Sequence, residues 1–141
     1  MIRLEFFVPG KPHGEARPRV TIHGTYIPRT TRLAKKAVAD AFKIALANSD
    51  GKNRIPDSVN YCRVSIFAKY PIAKSWDNKR KYEAAHGLIV PWKPDVDNVA
   101  KLVLDALNGL AYRDDSCVYE LLVTKAFDPA PGLHINLELE E

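Results

Sequence analysis

The chain has 141 residues, 46% of them hydrophobic and 27% charged, which is the balance of one ordinary globular domain and excludes disorder and a coiled coil. No apolar run approaches the roughly 18 residues of a membrane span, and the N-terminal stretch MIRLEFFVPG is broken by Arg3 and Glu5 where a signal peptide needs continuity. The net charge of +4 is unevenly spread: residues 11–36 carry seven bases against Glu15, residues 69–93 six against two acids, and residues 116–141 five acids against Lys125. Such asymmetry points to a polyanionic partner.

Residues 2–8 have strand composition and stop at Pro9-Gly10. The following loop, KPHGEARPR, is rich in proline and base. Pro18 holds Arg17 out of the helical region, so Arg17 and Arg19 are expected on extended backbone, where a guanidinium fork reaches phosphate. Residues 20–27 predict a tight hairpin about His23-Gly24. Thr30 or Thr31 is then expected to cap a helix over 32–48, with a buried stripe of Leu33, Ala34, Ala37, Val38, Ala41, Ile44 and Ala45, exposed Lys35, Lys36 and Lys43, and a stop at Gly51.

Residues 59–70, VNYCRVSIFAKY, are apolar on both phases and predict a central strand covered on both faces. Ser75 is the expected cap of a short helix over 76–85, which carries Lys79, Arg80 and Lys81. Trp76 beside that cluster is expected to pack rather than stack on a base. Residues 88–92 read as a short strand, 118–127 as another, and 133–140 as the second strand of a C-terminal hairpin. In that last strand Leu133, Ile135, Leu137 and Leu139 face inward. The four histidines show no ligand spacing, so no zinc site is expected. Cys62 and Cys117 sit in strand-like surroundings and predict free thiols in a reduced, cytoplasmic setting.

Between these elements lies KPDVDNVAKLVLDALNGLAYRDD, residues 93–115, which holds five of the ten aspartates and no glutamate. A helix is expected from Asp97 as cap to a stop at Gly109, with Val96 turned inward. Asp95 and Asp97 share a side in extended geometry, and Lys101 follows Asp97 by one helical turn. Asp114 and Asp115 repel each other unless a cation, Arg113 or a metal, lies between them. Should the strand opening near Asp115 run beside the helix start, three carboxylates and Lys101 converge. Hard oxygen ligands of this kind suit Mg²⁺ or Mn²⁺, and a metal beside a basic surface suits phosphodiester chemistry. An ordinary cap and a solvated acidic helix remain open on these residues alone. Asp105, four residues past Lys101, is expected to be a salt-bridge partner.

The stretch KPDVDNVAKLVLDALNGLAYRDDSCV resembles the signature of the RusA-type Holliday junction resolvases of bacteria and their phages. That pattern is Asp-x-Asp-Asn, three residues to a Lys, then Asp-Ala-Leu-Asn-Gly and a closing Asp-Asp. GKPHGEARPR resembles the family's basic loop, and PIAKSWDNKRK its Ser-Trp-Lys-rich segment. The resemblance implies a single α+β domain over 1–141, with a mixed β-sheet and two main helices. It also implies a homodimer, Mg²⁺ (or Mn²⁺ in its place) as cofactor, and four-way DNA junctions as substrate. It makes Asp95, Asp97 and Asp115 the essential carboxylates, with Asp114 a further candidate, and Lys101 the essential lysine. Lys11, Arg17, Arg19, Lys74, Lys79, Arg80, Lys81 and Asn98 are the expected DNA contacts. A non-catalytic branched-DNA-binding protein of the same fold and a metal-dependent phosphatase of small substrates are the competing functions. An intact Asp–Asp–Asp–Lys set disfavours the first, and the basic loops disfavour the second.

Overall fold

The computed structural model describes residues 1–50 and 54–141. Its elements run β1 (Ile2–Pro9), β2 (Arg19–Thr21), β3 (Gly24–Tyr26), α1 (Arg29–Asp50), β4 (Tyr61–Tyr70), α2 (Asn78–Ala85), α3 (Val96–Leu107), β5 (Val118–Phe127) and β6 (Gly132–Glu140), with a 3-10 turn over Asp115–Cys117. Four strands form one mixed sheet in the order β1-β6-β4-β5, antiparallel except for the parallel β4–β5 pair. This is a single α+β domain.

The alternation in β6 places Leu133, Ile135, Leu137 and Leu139 in the core, as expected. The expected C-terminal hairpin is not formed. The turn after β5 crosses the end of β4, where the Asp128 amide donates to the Tyr70 carbonyl, and β6 enters between β1 and β4. The helical crossover through α3 is what lets β5 lie parallel to β4.

β4 is central, yet only one of its faces is covered. Cys62, Val64, Ile66, Ala68 and Tyr70 are buried, while Tyr61, Arg63 and Phe67 stand in solvent. Both long helices lie on the inner face, and the outer face is wet. Arg63 there joins Glu120 on β5 and Glu138 on β6, and its guanidinium lies over the Tyr119 ring. Apolar composition on both phases therefore misjudged this strand.

α1 starts at Arg29, ahead of the expected cap, and encloses Thr31, which is buried. Its packed stripe runs through Thr31, Val38, Phe42 and Leu46, with Ala34, Ala41 and Ala45 beside it. Leu33 and Ile44 are exposed instead, because the bulk of Phe42 against Phe6 sets the helix rotation. Lys35 is not exposed as expected but largely covered and ion-paired. The expected stop at Gly51 lies outside the described residues.

The short helix α2 is capped by Asp77, whose carboxylate accepts from the Arg80 amide at 2.8 Å, and not by Ser75. Residues 88–92 form no strand. The small hairpin turns at Ile22-His23, with Gly24 at φ +115° opening β3, and it stands clear of the core, Ile22 being almost wholly exposed. No helix among the described residues is long and apolar enough to cross a membrane.

Both cysteines are free. Burial pushes the Cys62 thiol up to about 12, with Cys117 adding a smaller repulsion. The fold thus holds the neutral thiol, a preference fully present below the unfolded thiol's ordinary value and lost as pH climbs toward 12. At pH 8 a disulfide reagent should titrate Cys117 promptly in the native protein and Cys62 only after denaturation. Equal rates for both thiols in the native state would contradict this packing.

Candidate active site

The site is built on the first turn of α3. The entrance is held from β5: Lys125 sits on the strand's inner, apolar phase and donates to the carbonyls of Trp92 and Pro94, each at 2.9 Å. A lysine on an apolar phase is a signal the sequence does carry, and it marks this tie. From the other side, the basic loop is fastened by the Glu15 amide donating to the Asn98 carbonyl at 2.8 Å. Gly14 lies so close to Pro94 that an added Cβ would stand 2.7 Å from the proline Cβ and 3.1 Å from that of Asn98, so only glycine fits there.

The helix begins one step earlier than expected. Asp95, not Asp97, is the N-cap, extended at φ −65° and ψ 150°, and Asp97 lies in the first turn. Val96 consequently turns outward and is 45% exposed. The Asp95 carboxylate makes no capping bond. It accepts from Lys93 Nζ at 2.9 Å, while Asp97 accepts from the Asn98 amide at 3.0 Å. Two exposed carboxylates thus stand at the positive end of a helix, which favours negative charge. Lys101 is exposed one turn beyond Asp97.

Asp105 is an ion-pair partner as expected, but of α1 rather than of Lys101. Lys35 Nζ lies 2.9 Å from Glu15 Oε1 and 3.6 Å from Asp105 Oδ2. This largely covered lysine stitches the basic loop, α1 and α3 together. Sequence alone does not join Glu15 to Lys35, which is expected there to be exposed, since nothing local links positions 15, 35 and 105.

Asp114 and Asp115 are not beside the pair. α3 starts near the C-terminal end of β5 and ends near its beginning, so Asp115 and Asp95 lie at opposite ends of a helix about 18 Å long. The condition for convergence within one chain fails. Among the described residues, no three His, Cys, Asp or Glu side chains are grouped to hold a metal. Arg113 does not bridge the two carboxylates; it donates to Asn60. Asp114 caps the 3-10 turn through the Ser116 amide, and its bonds to Ser116 hold its carboxyl below the usual carboxylate range. Asp115 is exposed.

Of the expected DNA contacts, Lys11, Lys79 and Arg80 line one cavity with Lys93, next to Asp95. Asn98 lies in the site itself. Arg17 and Arg19 are exposed on the loop and strand that leave the Glu15 tie. Lys74 lies just before α2 and Lys81 on it, both outside the lining of that cavity. Trp76 packs edge-on against Phe127 and carries Arg80 on its face at 4.1 Å, so it is structural, as expected. The aromatic residue that sequence passed over is Trp92, 88% exposed.

An α+β domain with paired open carboxylates at a helix entrance, ringed by lysines and arginines, is the arrangement expected of a protein that handles a phosphate backbone. A family model for Endodeoxyribonuclease RusA matches residues 9–138, and the chain belongs to that family. It is also similar to the uncharacterized protein YqaN of Bacillus subtilis (strain 168). The two are 36% identical over 139 residues, covering 95% of this chain and 94% of that one.

Proposed function

We propose that the protein is a Mg²⁺-dependent endodeoxyribonuclease that resolves four-way DNA junctions, acting as a homodimer that nicks two opposed strands. The observation that carries this is the Asp95–Asp97–Lys101 set, open on the first turns of α3 and flanked by Lys11, Lys79, Arg80 and Lys93, in a chain of the RusA endodeoxyribonuclease family. The donor set fits the metal: oxygen ligands, neither carboxylate occupied by a cap bond across the helix start, at a solvent-open edge. Asp95 and Asp97 would hold Mg²⁺, with Mn²⁺ able to replace it. When bound, the ion polarises a phosphate oxygen and lowers the pKa of a water.

The chain's own groups do the rest. Lys101 and Lys93 face the phosphate with positive charge and offset the repulsion of the carboxylates. Arg17 and Arg19 grip the backbone outside the cut. Replacing both by alanine should weaken junction binding and lower its salt slope by about 0.9 for each phosphate that is no longer neutralised. An unchanged slope would make that loop a solvated one.

The third carboxylate is assigned to the second subunit. β5 is a ten-residue edge strand free of proline, with Leu121 and Leu122 exposed at 42% and 61%. Such an edge invites pairing with another strand. Antiparallel pairing of two β5 edges about a two-fold axis sends the start of one strand toward the end of the other. There the partner's α3 begins, so Asp115 approaches the partner's carboxylate pair. Isologous contact makes two equivalent sites at once, which suits the approximate two-fold symmetry of a four-way junction.

The separation of Asp115 from the pair within one chain is also what would favour a non-catalytic junction-binding protein. One assay decides between them: a synthetic four-way junction against linear duplex, with and without Mg²⁺. Paired symmetric nicks in the junction alone, and only with metal, are expected. Binding without nicks at any metal concentration would give the second reading.

A further inference from the structure

Beside the carboxylate pair lies a cavity of about 780 Å³, walled by α2, the end of β5 and the segment leading into α3. Its chemistry is of three kinds. Lys11, Lys79, Arg80 and Lys93 bring positive charge to it, against Asp77, which is occupied as the α2 cap, and Glu83. Trp92 contributes an aromatic ring that is 88% exposed, whereas Trp76 has its face under Arg80 and its edge on Phe127. Tyr70 lines the same cavity at the end of β4. It is 3% exposed, and its hydroxyl is buried without a hydrogen-bond partner among the described residues. A buried hydroxyl left unpaired is costly, and native structures seldom keep one without a reason.

Resting on the nuclease reading above, we infer that this cavity is a binding site for one unpaired nucleotide of the DNA strand beside the cut. The base stacks on Trp92, its polar edge pairs with the Tyr70 hydroxyl, and its phosphates are held by Lys79, Lys11 and Lys93. Several features select this occupant. A fully paired duplex offers no exposed base face, while the strands at a branch point do. The volume lies within the range of ordinary small-ligand sites, and stacking plus cations is the combination by which proteins hold single strands. Tyr70 meets the base as a donor: burial pushes its hydroxyl up to about 12, so it keeps its proton at neutral pH. The site also lies against Lys93, two residues from Asp95, so an unpaired base held here would place the adjoining phosphate at the carboxylates.

The test compares binding of an eight-nucleotide thymidine strand with that of a strand of the same length built of abasic deoxyribose phosphates. Both are titrated in EDTA against wild type, Trp92→Ala, Trp92→Phe and Tyr70→Phe. Stacking is worth about 1–3 kcal/mol per base, or about 5- to 150-fold in affinity. Trp92→Ala is expected to lose that factor on the thymidine strand and nothing on the abasic strand, and Trp92→Phe to recover most of the loss. Tyr70→Phe should lose a smaller factor, again on the thymidine strand alone. Equal losses on both strands, or none on either, would overturn the proposal. So would a Trp92→Ala protein that sediments as a monomer where wild type is a dimer, because Trp92 would then belong to the subunit contact. The titration contains no metal and no cleavable junction. Its failure is therefore separable from failure of the nuclease reading, which the Mg²⁺ cleavage assay tests alone.

Discussion

Replacing Asp95 with asparagine is expected to cut junction cleavage by about a hundred- to a thousandfold, while junction binding is kept or tightened. The amide has the shape of the carboxylate and is an equally good N-cap, and the native side chain makes no capping bond whose removal would matter. The helix start should therefore survive unchanged, since it is held by Lys125 and the Glu15 tie rather than by Asp95. On the proposed assignment what disappears is a charged metal ligand, and losing even one well-placed electrostatic group commonly costs 10²–10³ in rate, roughly 3–4 kcal/mol. In exchange Lys93, 2.9 Å from the carboxylate in the native protein, loses its ion-pair partner, and one repulsion toward phosphate is removed. Cleavage and gel-shift assays on the same four-way junction separate the two effects. A variant that cuts at the wild-type rate with Mg²⁺ would sink the assignment of the site.

The second large effect concerns which chain supplies the third carboxylate. Asp95→Asn and Asp115→Asn proteins should each be inactive alone. Mixed by co-expression, they should regain activity, because a mixed dimer carries one site with both substitutions and one with neither. With random pairing about half the dimers are mixed, so about a quarter of the wild-type sites return. Those sites nick one strand of a junction and leave the opposed strand whole. A site completed within one chain predicts no recovery, since every site in the mixed dimer would then carry one substitution. Recovery of nicking without resolution is thus a signature that a merely structural role for Asp115 would not produce.

The sequence showed most clearly the elements whose pattern is local. The four inward leucine and isoleucine positions of β6 follow from alternation alone, and the acid–acid–lysine order of α3 is a property of a few neighbouring residues. Elements set by distant partners were less legible. The rotation of α1 depends on Phe42 meeting Phe6, and a helix with apolar residues on more than one phase does not reveal which will be chosen. The cap of α3 fell on Asp95 because contacts from β5 and from the loop at Glu15 fix where the chain enters. Two aspartates two residues apart are equally able to cap. Most consequential was the direction of β5 against α3. Spacing along the chain is silent on whether Asp115 returns to the helix start or stops at its end, and the parallel β4–β5 pairing decides for the end.

That placement has a meaning for the cell as well as for the chemistry. If the proposed carboxylates are the essential groups, a nuclease that holds them at the two ends of one helix carries no complete blade while it travels alone. On the proposed pairing, a lone subunit is harmless to the genome, and cutting power rises with the square of its concentration while it is scarce. Both blades would come into being in the same event, so no half-armed form exists to leave a single stray break.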